Sequence, residues 1–132
     1  MRAVLADTGP LYALVDRHDQ LHVRARTEAS RLARQKWTLV AAFPTVLESH
    51  SLILRRLGIP AARKWLDEVL TGIGLLNPVD EDYLAAAKRI RSYADQPITL
   101  FDGLVAVIAG QLEIPVWTFD HHFAVMGVTV WP

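Results

Sequence analysis

The stretch PITLFDGLVAVIAG, Pro97–Gly110, decides how the chain is read. From Leu100 onward it is apolar on nearly every face, as a helix buried at the centre of a domain must be. The one charge, Asp102, stands three residues after Thr99, and Thr-x-x-acid is the pattern of a capping box, in which the two side chains satisfy each other's free backbone N–H groups. The spacing therefore predicts a central helix over 99–113. An apolar run, IPVWTFD (114–120), follows almost at once and reads as a strand. A helix that returns so directly into a parallel strand starts at the edge of the sheet where strands end. Asp102 is thereby placed at the carboxyl edge.

Working outward, RAVLAD (2–7) reads as a buried strand ended by the turn signal Gly9-Pro10. An amphipathic helix with a basic outer face follows (21–36), then a strand WTLVAA (37–42), and a helix PTVLESHSLILRRLG (44–58) closed by Gly58. A helix opening at Pro60 covers 60–72, IGLLNPV (73–79) is a third strand, and 80–94 is a helix with acids in its first turn and bases later, as its dipole favours. The last residues, GVTVWP (127–132), read as a fifth strand. Strand–helix alternation of this kind implies an α/β sandwich with a mostly parallel sheet of about five strands. The 132 residues suit a single domain, 1–132, able to bury one core.

Composition narrows the function. The chain has no cysteine, which excludes disulfides and Cys-ligated metal and fits a reducing, cytoplasmic setting. No signal peptide is read at the N-terminus, and GLVAVIAG is far short of the roughly 20 residues that cross a bilayer, so no membrane association is expected. Formal net charge is zero, which argues against non-specific coating of nucleic acid. The distribution is uneven: all fourteen Lys and Arg lie at or before Arg91 with ten acids, whereas the remaining four acids, Asp95, Asp102, Glu113 and Asp120, stand beyond it without a base.

Four acids occupy similar positions at element ends: Asp7, Glu48, Asp102 and Asp120. Each has a local explanation. Asp7 and Asp120 are placed to make Asx turns or caps, and Glu48, in TVLE, matches a capping box with Thr45 as N-cap. Topology links them, because a parallel sheet sends all four to one rim, where open α/β sheets bind ligands. Carboxylates crowded into a partly dehydrated cleft repel one another, and a divalent cation removes that cost. Mg²⁺ and Mn²⁺ accept such oxygen ligands, polarise phosphoryl oxygens and acidify water, so phosphodiester hydrolysis is the implied reaction. No serine nucleophile elbow, phosphate-cradling glycine loop or His-rich metal spacing points elsewhere.

In order, LADTGPLYALVD, VLESHSLILRRLG, TLFDGLVAVIAG and VWTFDHHFAVMGV resemble the PIN-domain ribonucleases, most closely the VapC-type toxins of bacterial type II toxin–antitoxin pairs. The resemblance implies a PIN-like α/β/α sandwich, a Mg²⁺- or Mn²⁺-dependent endoribonuclease, a catalytic and metal site of Asp7, Glu48, Asp102 and Asp120, and supporting hydroxyls at Thr8, Thr99 and Thr118. It also implies an RNA substrate, a homodimer, and a small antitoxin that covers the cleft and inserts a basic residue into it. Two positions depart from the family pattern: Phe101 stands where many relatives carry an acidic or polar residue, and His122 where they carry an Asp. Arg24, Arg31, Arg55, Arg56, Arg63, Lys64 and His122 are the candidate RNA contacts, against the plainer reading of solvated helix faces and two exposed loop histidines. Trp65 is the candidate stacking aromatic. Two other readings stay open: a nuclease acting on DNA, and a non-catalytic binding module whose acids only cap helices.

Overall fold

A computed structural model describes residues 2–132, so only the first residue of the expected 1–132 domain lies outside it. Chain order is β1 (Arg2–Ala6), α1 (Thr8–Val15), α2 (His22–Arg34), β2 (Trp37–Ala42), α3 (Phe43–Leu57), α4 (Ile59–Gly72), β3 (Gly74–Leu76), α5 (Asp80–Arg91), α6 (Leu100–Leu112), β4 (Val116–Trp117) and α7 (His122–Val125). The strands form one parallel sheet in the order β3-β2-β1-β4. It has four strands where the sequence suggested about five. The last segment contributes a single parallel bridge, Val116 to Val130, and its neighbours Gly127 and Thr129 are exposed. The segment is held instead by the buried Met126 and Trp131 and by two backbone bonds with Val116.

Period-2 alternation sorts β1 between two cores. Val4 and Ala6 pack with α1–α4, joined by Trp65, Trp117 and Trp131, while Leu5 packs on the opposite face with α5, α6 and α7. The result is the expected α/β/α sandwich, with β1 and α6 at its centre. Seven residues of α6 are buried, the capping acid Asp102 and six apolar or glycine positions, Gly103 to Ala106 with Ile108 and Ala109, which accounts for the apolar run beyond Leu100.

Three local readings differ from the sequence expectation. Gly9-Pro10 does not end in a turn; it lies in the first turn of α1, where Pro10 loses nothing because the first backbone N–H groups of a helix have no partner anyway. Thr45 does not cap α3; Ala42 does so without a side-chain bond, and Thr45 is the third residue of the helix, fully buried. Trp65 is not a free stacking surface but part of the core, 5% exposed. Gly58 does end α3 as expected, with a φ of 93° that a side chain would disfavour.

α5 and α6 meet at Gly103. A Cβ there would stand 2.7 Å from Ile90 Cγ2 and 3.1 Å from the Ala86 carbonyl, so the contact requires a residue without a side chain. Gly110, seven residues along the same helix, has open space around it. Gly103→Ala is expected to cost about 1–3 kcal/mol by overpacking, whereas Gly110→Ala gains a few tenths to about 1 kcal/mol from helix propensity. Urea denaturation of both proteins checks the pair, and equal effects would contradict the packing described.

Candidate metal and phosphodiester site

Every strand of a parallel sheet ends at the same edge, and that edge carries the acids. β1 pairs with β4 in the register Ala6↔Trp117, and the ladder continues as the Asp7 N–H donates to the Trp117 carbonyl at 2.9 Å. This continuation lays Asp7 beside Thr118, whose Oγ1 donates to Asp7 Oδ2 at 2.8 Å and accepts the Asp120 N–H at 3.0 Å. One hydroxyl thus joins the ends of two strands. Asp7 makes no side-chain cap on α1 despite standing at its N-cap. Asp120, in contrast, does make the Asx turn suggested for it, its Oδ1 accepting the His122 N–H at 2.9 Å.

Asp102 arrives from the other side. Thr99 Oγ1 accepts the Asp102 N–H at 3.0 Å and Asp102 Oδ2 accepts the Thr99 N–H at 3.3 Å, which is the capping box read from the sequence. That box uses one carboxyl oxygen; the other has no hydrogen-bond partner among the described residues. Glu48 comes from the second turn of α3 and is exposed. Asp7, Thr8, Glu48, Asp102, Asp120 and His122 line one cleft of about 470 Å³, together with Thr99, Phe101 and Phe119. The cleft holds all four acids, and they stand spread round it. Among the described residues, the one set of three ligand-type groups with atoms mutually within 4.8 Å is Asp120, His121 and His122.

Burial and mutual repulsion are recorded in the acids themselves. Asp7, 6% exposed, has its pKa pushed up to about 6 from an ordinary 3.8, first by burial and further by Asp102 and Asp120, against the opposing pull of the Thr118 hydroxyl and the Thr8 N–H. Asp102 is also raised, by burial and by Asp120, with the Thr99 N–H and hydroxyl and His122 pulling the other way. Thr8 Oγ1, beside them in the cleft wall, is buried with no hydrogen-bond partner among the described residues. Hard oxygen donors, two of them costly to ionise alone, and an unpaired hydroxyl fit a Mg²⁺- or Mn²⁺-type cation.

The basic residues are placed as follows. Arg24 pairs with Glu28 at 2.9 Å and stacks 4.5 Å over Phe119, which itself lines the cleft. Glu28 also accepts from the Trp117 indole at 2.8 Å, tying α2 to β4. Arg31 lies over Trp131 at 4.1 Å and Arg56 over Tyr12 at 5.2 Å. Arg55, Arg63 and Lys64 are exposed, and Lys64 borders a separate groove between α1, α2 and α4. Of the two histidines, His121 is the exposed loop residue expected, its side chain 78% accessible, but His122 is not: its side chain is only 13% accessible and faces the cleft. Phe119 was not singled out from the sequence; an aromatic set between Thr118 and Asp120 at a strand end was the available signal.

A central parallel sheet with acids after β1, in α3, in α6 and after β4 places a cluster of carboxylates at the strand-end rim of an α/β protein. Residues 4–128 match the family model of the PIN domain, and the chain belongs to that family. By structure it is similar to the sarcin–ricin loop cleaving toxin VapC20 of Mycobacterium tuberculosis, with 19% identity, 96% of each chain covered and a TM-score of 0.83. It is also similar to VapBC2 of Rickettsia felis, solved bound to a promoter DNA fragment, at 12% identity, 97% of this chain and 96% of that one covered, and a TM-score of 0.74. FitAcB of Neisseria gonorrhoeae has 19% identity, coverage of 98% and 96%, and a TM-score of 0.68. A search of curated proteins by sequence finds no match. Among the described residues no helix is long and apolar enough to cross a membrane.

Without a cation, Asp7 binds its proton more tightly folded than unfolded. Its contribution to stability is therefore complete below about pH 3.8 and is lost as pH rises through about 6, a loss of at most ~3 kcal/mol. Denaturant titrations in chelator from pH 4.5 to 7.5 are expected to show the native protein weakening relative to Asp7→Asn, and parallel curves would contradict this account.

Proposed function

We propose that the chain is a Mg²⁺- or Mn²⁺-dependent endoribonuclease, the toxin of a toxin–antitoxin pair. The observation that carries the reading is the pair of buried carboxylates, Asp7 and Asp102, supplied by a strand end and a helix start and both made harder to ionise, first of all by burial. Capping accounts for Asp102 alone, whereas a cation site accounts for both carboxylates lining one cleft. When bound, the cation supplies charge to the phosphodiester oxygens and acidifies water.

The residues of the chain do the rest. Asp7 and Asp102 hold the charge at the floor of the cleft, and Thr118 and Thr99 fix their orientation through the bonds given above. Asp120 and the exposed Glu48 line the same cleft and would complete the set of carboxylates round the cation. Thr8 offers an unpaired hydroxyl beside them. Arg24, on the Phe119 side of the cleft, is the base best placed to neutralise an entering phosphate; Arg31, Arg55, Arg56, Arg63, Lys64 and His122 complete the candidate contacts. The acidic cleft suits the basic residue of an antitoxin, which would occupy the place of the cation and block the substrate. The toxin and complex descriptions of the similar structures support this partner, and a homodimer belongs to the same proposal.

Protein freed of any partner and incubated with cellular RNA and Mn²⁺ is expected to give discrete cuts. EDTA removes them, and Asp7→Asn lowers the rate by 100-fold or more while the far-UV circular dichroism is unchanged. DNA of the same sequence is expected to stay intact; cutting of DNA alone would replace the substrate class, and unaltered RNA cutting by Asp7→Asn would refute the site.

A further inference from the structure

We infer that His122 is a metal ligand through Nδ1, which makes the cleft a mixed nitrogen and oxygen site that prefers Mn²⁺ to Mg²⁺. The inference rests on the metal-dependent reading above and goes beyond it. It starts from where the backbone puts the ring. The Asx turn in which Asp120 Oδ1 accepts the His122 N–H launches α7, and it holds the His122 side chain on the cleft side while His121 points to solvent.

The ring is in an unusual condition for a histidine. Its Nδ1 is sealed from solvent and has no hydrogen-bond partner among the described residues. The nearest charged oxygen, Asp120 Oδ1, is 3.1 Å away, close enough for an ion pair but without the alignment of a hydrogen bond. A buried nitrogen left unpaired beside an oxygen at that distance is costly as it stands. The same separation is what two adjacent ligands of one six-coordinate ion adopt, since bonds of about 2.1 Å at right angles put their donor atoms roughly 3 Å apart. The His121 Nδ1 lies 3.9 Å from the same oxygen and completes the tightest group of ligand-type atoms among the described residues.

Chemistry then gives the selectivity. Mg²⁺ takes oxygen ligands almost exclusively, while imidazole nitrogen suits transition ions and raises affinity along their series. A carboxylate at position 122 would give an all-oxygen site, which suits both Mg²⁺ and Mn²⁺. His122 tips the same cleft toward Mn²⁺, at no cost to the turn, because the turn uses its backbone N–H and not its ring.

The test uses the whole chain freed of any partner, with Mn²⁺ and Mg²⁺ as probes and binding as the readout. Pulsed electron paramagnetic resonance of the Mn²⁺-loaded protein is expected to show a directly coupled ¹⁴N nucleus in the native chain and in His121→Asn, and none in His122→Asn. Equilibrium titration is expected to show Mn²⁺ binding at least ~10-fold weaker in His122→Asn, a loss no smaller than removal of an outer-sphere partner produces, with Mg²⁺ affinity changed less than about threefold. His122→Asp, which keeps the turn and restores an acid, is expected to bind both ions with the preference for Mn²⁺ reduced. Mn²⁺ bound with oxygen ligands alone, or nitrogen coupling that survives in His122→Asn, overturns the role of His122 and leaves the nuclease reading standing. A native chain that binds no Mn²⁺ at millimolar concentration overturns both.

Discussion

The site depends on the pairing of β1 with β4. Two residue pairs, Leu5↔Val116 and Ala6↔Trp117, make up that contact, and the hydrogen bond from the Asp7 N–H to the Trp117 carbonyl extends it one step past the end of the strand. Because strand side chains alternate with a period of two, a slip of one residue would send Asp7 into a core face and bring Thr118 out of reach. The register is held from both sides: Leu5 and Val116 are buried against α6, and Ala6 and Trp117 against the opposite layer, where the Trp117 indole donates to Glu28 on α2. The bond from the Thr118 hydroxyl to Asp7 is thus the visible end of packing that runs through the whole domain.

Stability and chemistry pull against each other at that rim. Burial raises the pKa of Asp7 and Asp102, so ionising either one costs more than it would in water. The fold accepts the conflict by tying each carboxylate to a threonine whose hydroxyl or backbone N–H favours the charged form, Thr118 for Asp7 and Thr99 for Asp102. These bonds offset only part of the burial, and a cation bound there, as proposed, would remove the remainder. The proposed cation site and the local instability therefore have one origin.

How much of this could be read in the residues differs by element. The capping box of Thr99 and Asp102 was legible because both partners lie within one turn and the apolar run fixes the helix on which they sit. The shared rim was legible because a helix that passes directly into a parallel strand has only one direction to run. α1 was missed because Gly9-Pro10 breaks most patterns, and only its place in a first turn makes the proline harmless. TVLE imitated a capping box, but the chain turns into α3 already at Phe43, and Thr45 is carried into the core. The fifth strand and the surface role of Trp65 were lost to tertiary packing that sequence periodicity does not encode. The orientation of His122 follows from an Asx turn that any Asp-x-His could make, and only the three-dimensional turn shows which of the two histidines faces inward.

The central claim is that the acids of this rim are arranged for a divalent cation, and the most direct measurement is the melting temperature of the protein, freed of any partner, at pH 7.5 with Mn²⁺ titrated in. The account predicts a rise that grows with Mn²⁺ concentration, on the order of 10 °C once the ion stands about 100-fold above its dissociation constant, and that is reversed by EDTA and abolished in Asp102→Asn. A melting temperature indifferent to Mn²⁺ across that range would mean that the carboxylates serve only the fold, and would contradict the account.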